Sequence, residues 1–160
     1  MLKDKRILIT GSAGSIGSEL YRQLAPHNTV YGLDINETGL FDLHEEYRLK
    51  GHKVFYRIGS VRDLETVRDV MDEFKPEVVF HAAALKHVTP NEAYPSEAIE
   101  TNAMGAYNVI SQAKKHGVEK LVYISTDKAI NSYSVMGVTK KLGELIARNA
   151  GYIAVRFGNN

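Results

Sequence analysis

RILITGSAGSIGSEL, residues 6–20, reads as a short strand, a glycine-rich turn and the first turns of a helix. The run Ile7-Leu8-Ile9 is apolar and β-branched at two of three positions, and Gly11, Gly14 and Gly17 follow at a spacing of three and three. Between a strand and a helix that spacing has a mechanical meaning: Gly11 permits the tight turn, Gly14 lets a backbone approach a pyrophosphate, and Gly17 lets the helix pack close to the strand. A helix opening at Ser15 and Ile16 then points free N–H groups and the positive end of its dipole at the same place. Gly11, Gly14, Ser15, Ile16 and Gly17 are therefore the candidate phosphate-binding residues.

Outward from this segment, short apolar runs recur at Arg6–Thr10, Thr29–Leu33, Lys53–Ile58, Glu77–His81, Lys120–Ile124 and Tyr152–Arg156, which predicts six strands. Stretches with helical spacing lie between them, at Ser15–Ala25, Thr38–Lys50, Val61–Phe74, Asn91–His116 and Val135–Asn149. The strands are continuous Val/Ile/Leu runs and do not alternate, the pattern of strands covered on both faces. The expected fold is α/β, a three-layer doubly wound parallel sheet in the Rossmann order 3-2-1-4-5-6, filled by one domain over residues 1–160. In such a sheet ligands bind beyond the carboxyl ends of the strands, so the loops after Thr10, Leu33, Ile58, His81 and Ile124 are the places to look.

Composition narrows the classes further. Twenty Lys and Arg against nineteen Asp and Glu leave a net charge of +1, without the basic face of a nucleic-acid binder. The absence of cysteine excludes thiolate chemistry and disulfides and fits a cytoplasmic protein. No apolar run approaches the ~20 residues of a membrane span. His81 and His87 flank an alanine run, but their spacing matches no common ligand pattern, so no metal is expected. His27, His44, His52 and His116 read as surface residues at helix ends or turns.

Asp34 stands at the end of the second strand, 17 residues beyond Gly17. A carboxylate there accepts hydrogen bonds from both hydroxyls of an adenosine ribose and repels a 2′-phosphate, which favours NAD over NADP. Asn36 follows in the same loop, and no Arg or Lys is close behind. After the fourth strand, the small residues Ala82, Ala83 and Ala84 leave room for a flat cofactor against the backbone, with Lys86 just beyond.

TGSAGSIGSEL, VFHAAALKHV, TNAMGAYNVI, ISTDKA, VMGVTKK and VRFGN span nearly the whole chain. Together they resemble the extended short-chain dehydrogenases/reductases, and within them the CapD-like polysaccharide-biosynthesis dehydratases that act on nucleotide sugars. The resemblance implies NAD as cofactor, UDP-N-acetylhexosamine as substrate, a homo-oligomer, and a 4,6-dehydration. It implies that Asp127 protonates the departing 6-hydroxyl and that Lys128 takes the carbon-5 proton, which demands a lysine pKa pulled toward working pH. Lys140 would hold the nicotinamide ribose and Thr126 the 4-hydroxyl. Ser125 and Asn102 would lie on the cofactor side, and Lys86 and Asn159 would also meet substrate.

Three departures from the family pattern stand out. Where the superfamily carries a tyrosine base four residues before Lys140, this chain has Met136, whose thioether takes no proton. VMG resembles a Met-bearing branch of the same dehydratases, and Asp127, Thr126 through a water, or Tyr133 could serve as base instead. Ser60 and Val61 stand where the family has Asp-Val for the adenine, so the Asp is missing. Relatives continue past VRFGN into a substrate domain, so the expectation is a cofactor-binding half with the sixth strand as an edge. Two rival readings are a nucleotide-sugar 4-epimerase, which has no use for the Asp127–Lys128 pair, and a non-catalytic NAD-binding module.

Overall fold

The computed structural model describes residues 2–158. Its strands are β1 (Arg6–Thr10), β2 (Thr29–Asp34), β3 (Phe55–Ile58), β4 (Val78–His81), β5 (Lys120–Thr126) and β6 (Ile153–Phe157). They form one sheet in the order β3-β2-β1-β4-β5-β6, as expected. Every pairing is parallel, so all carboxyl ends open on one rim.

Helices cover both faces: α1 (Ser15–Leu24) and α2 (Glu37–Leu49) on one, α3 (Leu64–Phe74), α6 (Gly105–Lys115) and α7 (Val135–Asn149) on the other. Alternation along each strand divides the core accordingly. Ile7, Ile9, Val30 and Val78 pack with Tyr21, Leu43 and Tyr47 on the first face. Leu8, Tyr31, Val79 and Leu121 pack with Val67, Val70, Val109 and Ile110 on the second. Each such side chain, fully buried, contributes on the order of 1.5–3 kcal/mol.

The helix expected over residues 91–116 is broken into pieces. Two short helices, α4 (Val88–Ala93) and α5 (Pro95–Ala98), lead into a π-helical segment, Ile99–Met104, and then α6. The first break has a plain cause. A residue before proline is driven out of the helical region, and Tyr94 sits at φ −130°, ψ 69° ahead of Pro95, which opens α5.

At the strand ends the connections are tight. Asn36 caps α2, its Oδ1 accepting from the Gly39 N–H at 3.0 Å, and Asp63 caps α3. Helix α3 begins at Leu64, three residues later than the spacing predicts, which leaves Ser60 and Val61 in the rim loop.

Candidate active site

Two communicating cavities open along this rim. One, of about 830 Å³, runs from Gly11 past Asp34, Asn36, Ser60 and Val61 to Arg62. The other, of about 530 Å³, lies between the α1 N-terminus (Ser15, Ile16 and Gly17) and Ser125, Thr126, Lys128, Met136 and Lys140. Gly11, Gly14, Ala82, Ala84, Lys86 and His87 line both, so the glycine loop faces the β4 loop across a shared waist, with Ala83 on the first cavity.

The glycine loop is shaped by exclusion. Gly11 has φ +70°, and a Cβ there would come within 2.5 Å of the Ala83 nitrogen. A Cβ on Gly17 would collide with the Gly11 carbonyl, so α1 reaches the turn only because that atom is missing. Asp34 braces the same loop: its Oδ2 accepts from the Ala13 N–H at 2.9 Å and its Oδ1 from the Asn36 N–H at 3.0 Å.

At the far end of this cavity, Asn108 Nδ2 donates to the carbonyls of buried Val61 and of Arg62, both at 3.0 Å, which fixes the β3 loop. Ser60 Oγ accepts from the Arg62 N–H at 3.2 Å. Arg62 is a cation that the sequence distance from Asp34 concealed. Its guanidinium is taken by Thr101 (2.7 Å), Glu97 (2.5 Å) and Glu100 (3.2 Å), so two carboxylates already compensate its charge.

The second cavity is built by β5, the turn Asp127–Ala129 and the first turns of α7. Thr126 Oγ1 donates to Asp127 Oδ1 at 3.0 Å. Asp127 itself is exposed beside the wall, and Lys128 lies half-buried on it. Helix α7 is fixed against this turn: a Cβ on Gly137 would come 2.6 Å from the Lys128 carbonyl. Its first turn is capped by Ser134, which accepts from the Gly137 N–H at 3.1 Å, and by Glu92 of α4, which accepts from the Val135 N–H at 2.6 Å. Met136 is 2% exposed, whereas Tyr133 is 97% exposed and lines neither cavity.

Lys140 reaches this cavity from beneath. The residue is 6% exposed, and its Nζ donates to the Ile124 carbonyl at 2.5 Å. Burial pushes its pKa down to about 7 against the opposing charge of Glu144. Burial would raise Glu144, but the bidentate Arg156, at 2.7 Å to each oxygen, holds it down at about 2. His81 is fully enclosed, and burial, reinforced by the Lys140 charge, pushes it to about 3, so it is neutral at physiological pH.

Asn102 does not stand on either cavity wall. It is 1% exposed, accepts from the Leu85 N–H at 2.8 Å, and donates to the Leu85 carbonyl at 2.9 Å and to Thr139 Oγ1 at 3.2 Å. Its amide is spent on the shape of the β4 loop, so the expected cofactor contact becomes a brace. His44 is likewise buried, packed edge-on to Tyr21 and stacked on Tyr56 at 4.4 Å, and not on the surface. Asn159 lies outside the described residues. Among the described residues no group of three acidic or histidine side chains could hold a metal ion, and no helix is long and apolar enough to cross a membrane.

Known proteins are similar to this chain in sequence and fold. The model of a family described as polysaccharide biosynthesis protein matches residues 7–160. The capsular polysaccharide biosynthesis protein CapD of Staphylococcus aureus is 40% identical over 99% of this chain and 28% of its own length. A UDP-glucose 4-epimerase of Rickettsia canadensis is 40% identical over 92% of this chain and 44% of its own. Among solved structures, the Bordetella bronchiseptica enzyme WbmG in complex with NAD superposes with a TM-score of 0.82 at 28% identity, over 96% of this chain and 53% of that one. The chain thus spans between about a quarter and about half of these proteins. With the family model matched from the first strand onward, the chain belongs to the polysaccharide biosynthesis protein family of extended short-chain dehydrogenases/reductases.

Proposed function

We propose that the chain is the NAD-binding unit, over residues 1–160, of a UDP-N-acetylhexosamine 4,6-dehydratase. The observation that carries this reading is the convergence of Thr126, Lys128 and Lys140, with Asp127 beside them, on a cavity that opens into the glycine loop. An epimerase needs no acid and base at carbons 5 and 6. The fit to NAD rests on the cradle at Gly11 and Gly17, which a Cβ would fill, and on Asp34 at the strand end. The Arg62 guanidinium, already compensated by two carboxylates, offers little to a 2′-phosphate. NAD bound in the WbmG structure supports the same assignment.

In this reading Gly11, Gly14, Ser15, Ile16 and Gly17 cradle the pyrophosphate, Asp34 and Asn36 the adenosine ribose, and Ser60 and Val61 the adenine. Ala82, Ala83 and Ala84 flank the cofactor, Ser125 lies beneath it, and Lys86 reaches toward substrate across the waist. NAD supplies the chemistry of taking a hydride from carbon 4 and returning it at carbon 6. Lys140 Nζ donates to the nicotinamide ribose, and Thr126 Oγ1 orients the 4-hydroxyl. Lys128 Nζ takes the carbon-5 proton, and the Asp127 carboxyl gives a proton to the leaving 6-hydroxyl. Met136 walls the site without carrying a proton, which leaves Asp127, or Thr126 through a water, to accept the 4-hydroxyl proton.

The test is a reaction of the purified chain with NAD and UDP-GlcNAc in deuterated water, followed by NMR. The expected product is a 4-keto-6-deoxy sugar with deuterium at carbon 5. The kinship with UDP-glucose 4-epimerases favours a second reading, in which the product is a C4-inverted sugar with no deuterium. NAD binding with no sugar chemistry, persisting when the remaining length found in its relatives is supplied, would mark a non-catalytic module.

A further inference from the structure

Beneath Lys140 the sheet carries a row of polar side chains that none of the proposed steps uses. Thr10, His81 and Tyr123 are consecutive partners in the register of β1, β4 and β5. In a parallel sheet registered neighbours share a face, here the face packed by α7. Thr10 Oγ1 and His81 Nδ1 are 2.6 Å apart, and the His81 and Tyr123 rings lie 5.5 Å apart, centroid to centroid. The far face of this row meets the lysine, whose Nζ lies 4.3 Å from the Tyr123 ring centroid. Tyr123 has no freedom to leave: its hydroxyl fills the space a Cβ would occupy at Gly143 of α7.

Such burial is unusual for hydroxyl and imidazole groups without full partners. Neither Tyr123 Oη nor His81 Nε2 has a hydrogen-bond partner among the described residues, although both are enclosed. Buried polar atoms left unmade in this way cost stability, so a row of them beside a reactive amine calls for a reason. A ring face attracts an ammonium through its quadrupole, most strongly where water is excluded. The Ile124 carbonyl then fixes the amine along one direction and the ring face along a second.

We propose that Tyr123, wedged between His81 and the α7 backbone at Gly143, is a positioning residue that acts through Lys140, its ring face holding the lysine Nζ where the cavity reaches it. The row ties that amine to Thr10, the residue that precedes the glycine turn, so the two grips on a dinucleotide share one rigid cross-strand support. This inference rests on the reading of Lys140 as a cofactor-binding group, but its geometry needs no ligand. Other charged or titratable groups face the amine from each side: Glu144 on its own helix with Arg156 of β6 paired to it, His81 of β4, and Lys86, His87 and Lys128 around the cavity.

The test is an NMR titration of the free chain labelled with 13C-lysine, following the Lys140 Cε signal, assigned by its loss in Lys140→Arg. Removing a desolvated cation–π contact changes a protonation equilibrium by about tenfold, or about one pH unit. Tyr123→Phe keeps the ring face and is expected to leave the midpoint within about 0.5 pH unit of the unmodified chain. Tyr123→Leu fills the space without a face and is expected to move it by about one unit or more: down if the amine stays on the Ile124 carbonyl, up if it swings into solvent. Should the Leu variant not fold, Tyr123→Met, which refills irregular space, carries the same test. An unmoved midpoint in the aliphatic variant overturns the proposal. So does an equal movement in Phe and Leu, because the hydroxyl and not the face would then be responsible. Since no sugar or dinucleotide is present, this result is independent of whether the chain dehydrates UDP-GlcNAc.

Discussion

The two ends of the rim crevice are made by different physics. Around Gly11 and Asp34 the surface is shaped mainly by backbone, with missing Cβ atoms and main-chain N–H groups fixing where a ligand can lie. Around Lys140 it is shaped by buried side chains whose charge states depend on one another. The first end tolerates solvent but no added atom. The second adds buried charge to contacts just as close, at Gly137 and Gly143.

The sharpest way to break this contrast is Gly17→Ala. With the new Cβ driven into the Gly11 carbonyl, we expect a loss of about 2–4 kcal/mol in chemical denaturation. We also expect NAD binding to fall beyond detection by calorimetry. An Ala variant with unchanged stability and affinity would mean that the loop yields, and that exclusion does not shape it.

At the other end, Lys140→Met should stabilise the fold, with a marked pH dependence. The folded pKa near 7 lies below the ordinary value of 10.5, so the unfolded chain holds more protons between those limits. The cost of burying the charge is thus full below pH 7 and is relieved as pH rises toward 10.5. The gain from Met should be about 2–4 kcal/mol at pH 6 and shrink toward zero by pH 10. Denaturation curves at the two pH values check this, and a gain independent of pH would remove the buried charge from the account.

Asp34→Asn probes the exposed end with charge instead of shape. Losing the carboxylate should weaken NAD by about tenfold, roughly 1.4 kcal/mol, and narrow its advantage over NADP. Competitive titration of the two cofactors reads both, and an unchanged ratio would take the discrimination away from Asp34. The smallest effect belongs to Glu92→Ala, which removes one cap from α7: about 1 kcal/mol in stability, with Ser134 still in place. A loss several times larger would mean that α4 and α7 are coupled more widely than through that bond.

The difference between the two ends also explains what the sequence made legible. The glycine spacing, Asp34 and the strand order are local or periodic signals, and α7 begins and ends at the residues its spacing predicts. Tyr123 and His81 acquire their meaning only through the register between β4 and β5, which no single stretch of sequence encodes. His44 could have been found, because it shares the buried stripe of Leu40, Leu43 and Tyr47 on α2. Its polarity made it read as surface. The motif around Asn102 gives its proximity to the β4 loop and not its orientation, which its hydrogen bonds to Leu85 and Thr139 show.

One rod runs from Glu97 through the π-helical segment Ile99–Met104 into α6. Each residue of an α-helix turns about 100°, so residues seven apart return to nearly one face. Glu97, Glu100 and Thr101 address Arg62, Asn102 addresses Leu85 and Thr139, and Asn108 returns to Val61. At that turn Asn108, seven residues beyond Thr101, comes back to within about 20° of its face, while Asn102 points away by about 100°, so one rod meets the β3 loop twice and the β4 loop between. The rod works as a camshaft, addressing two separate loops and α7 from a single axis.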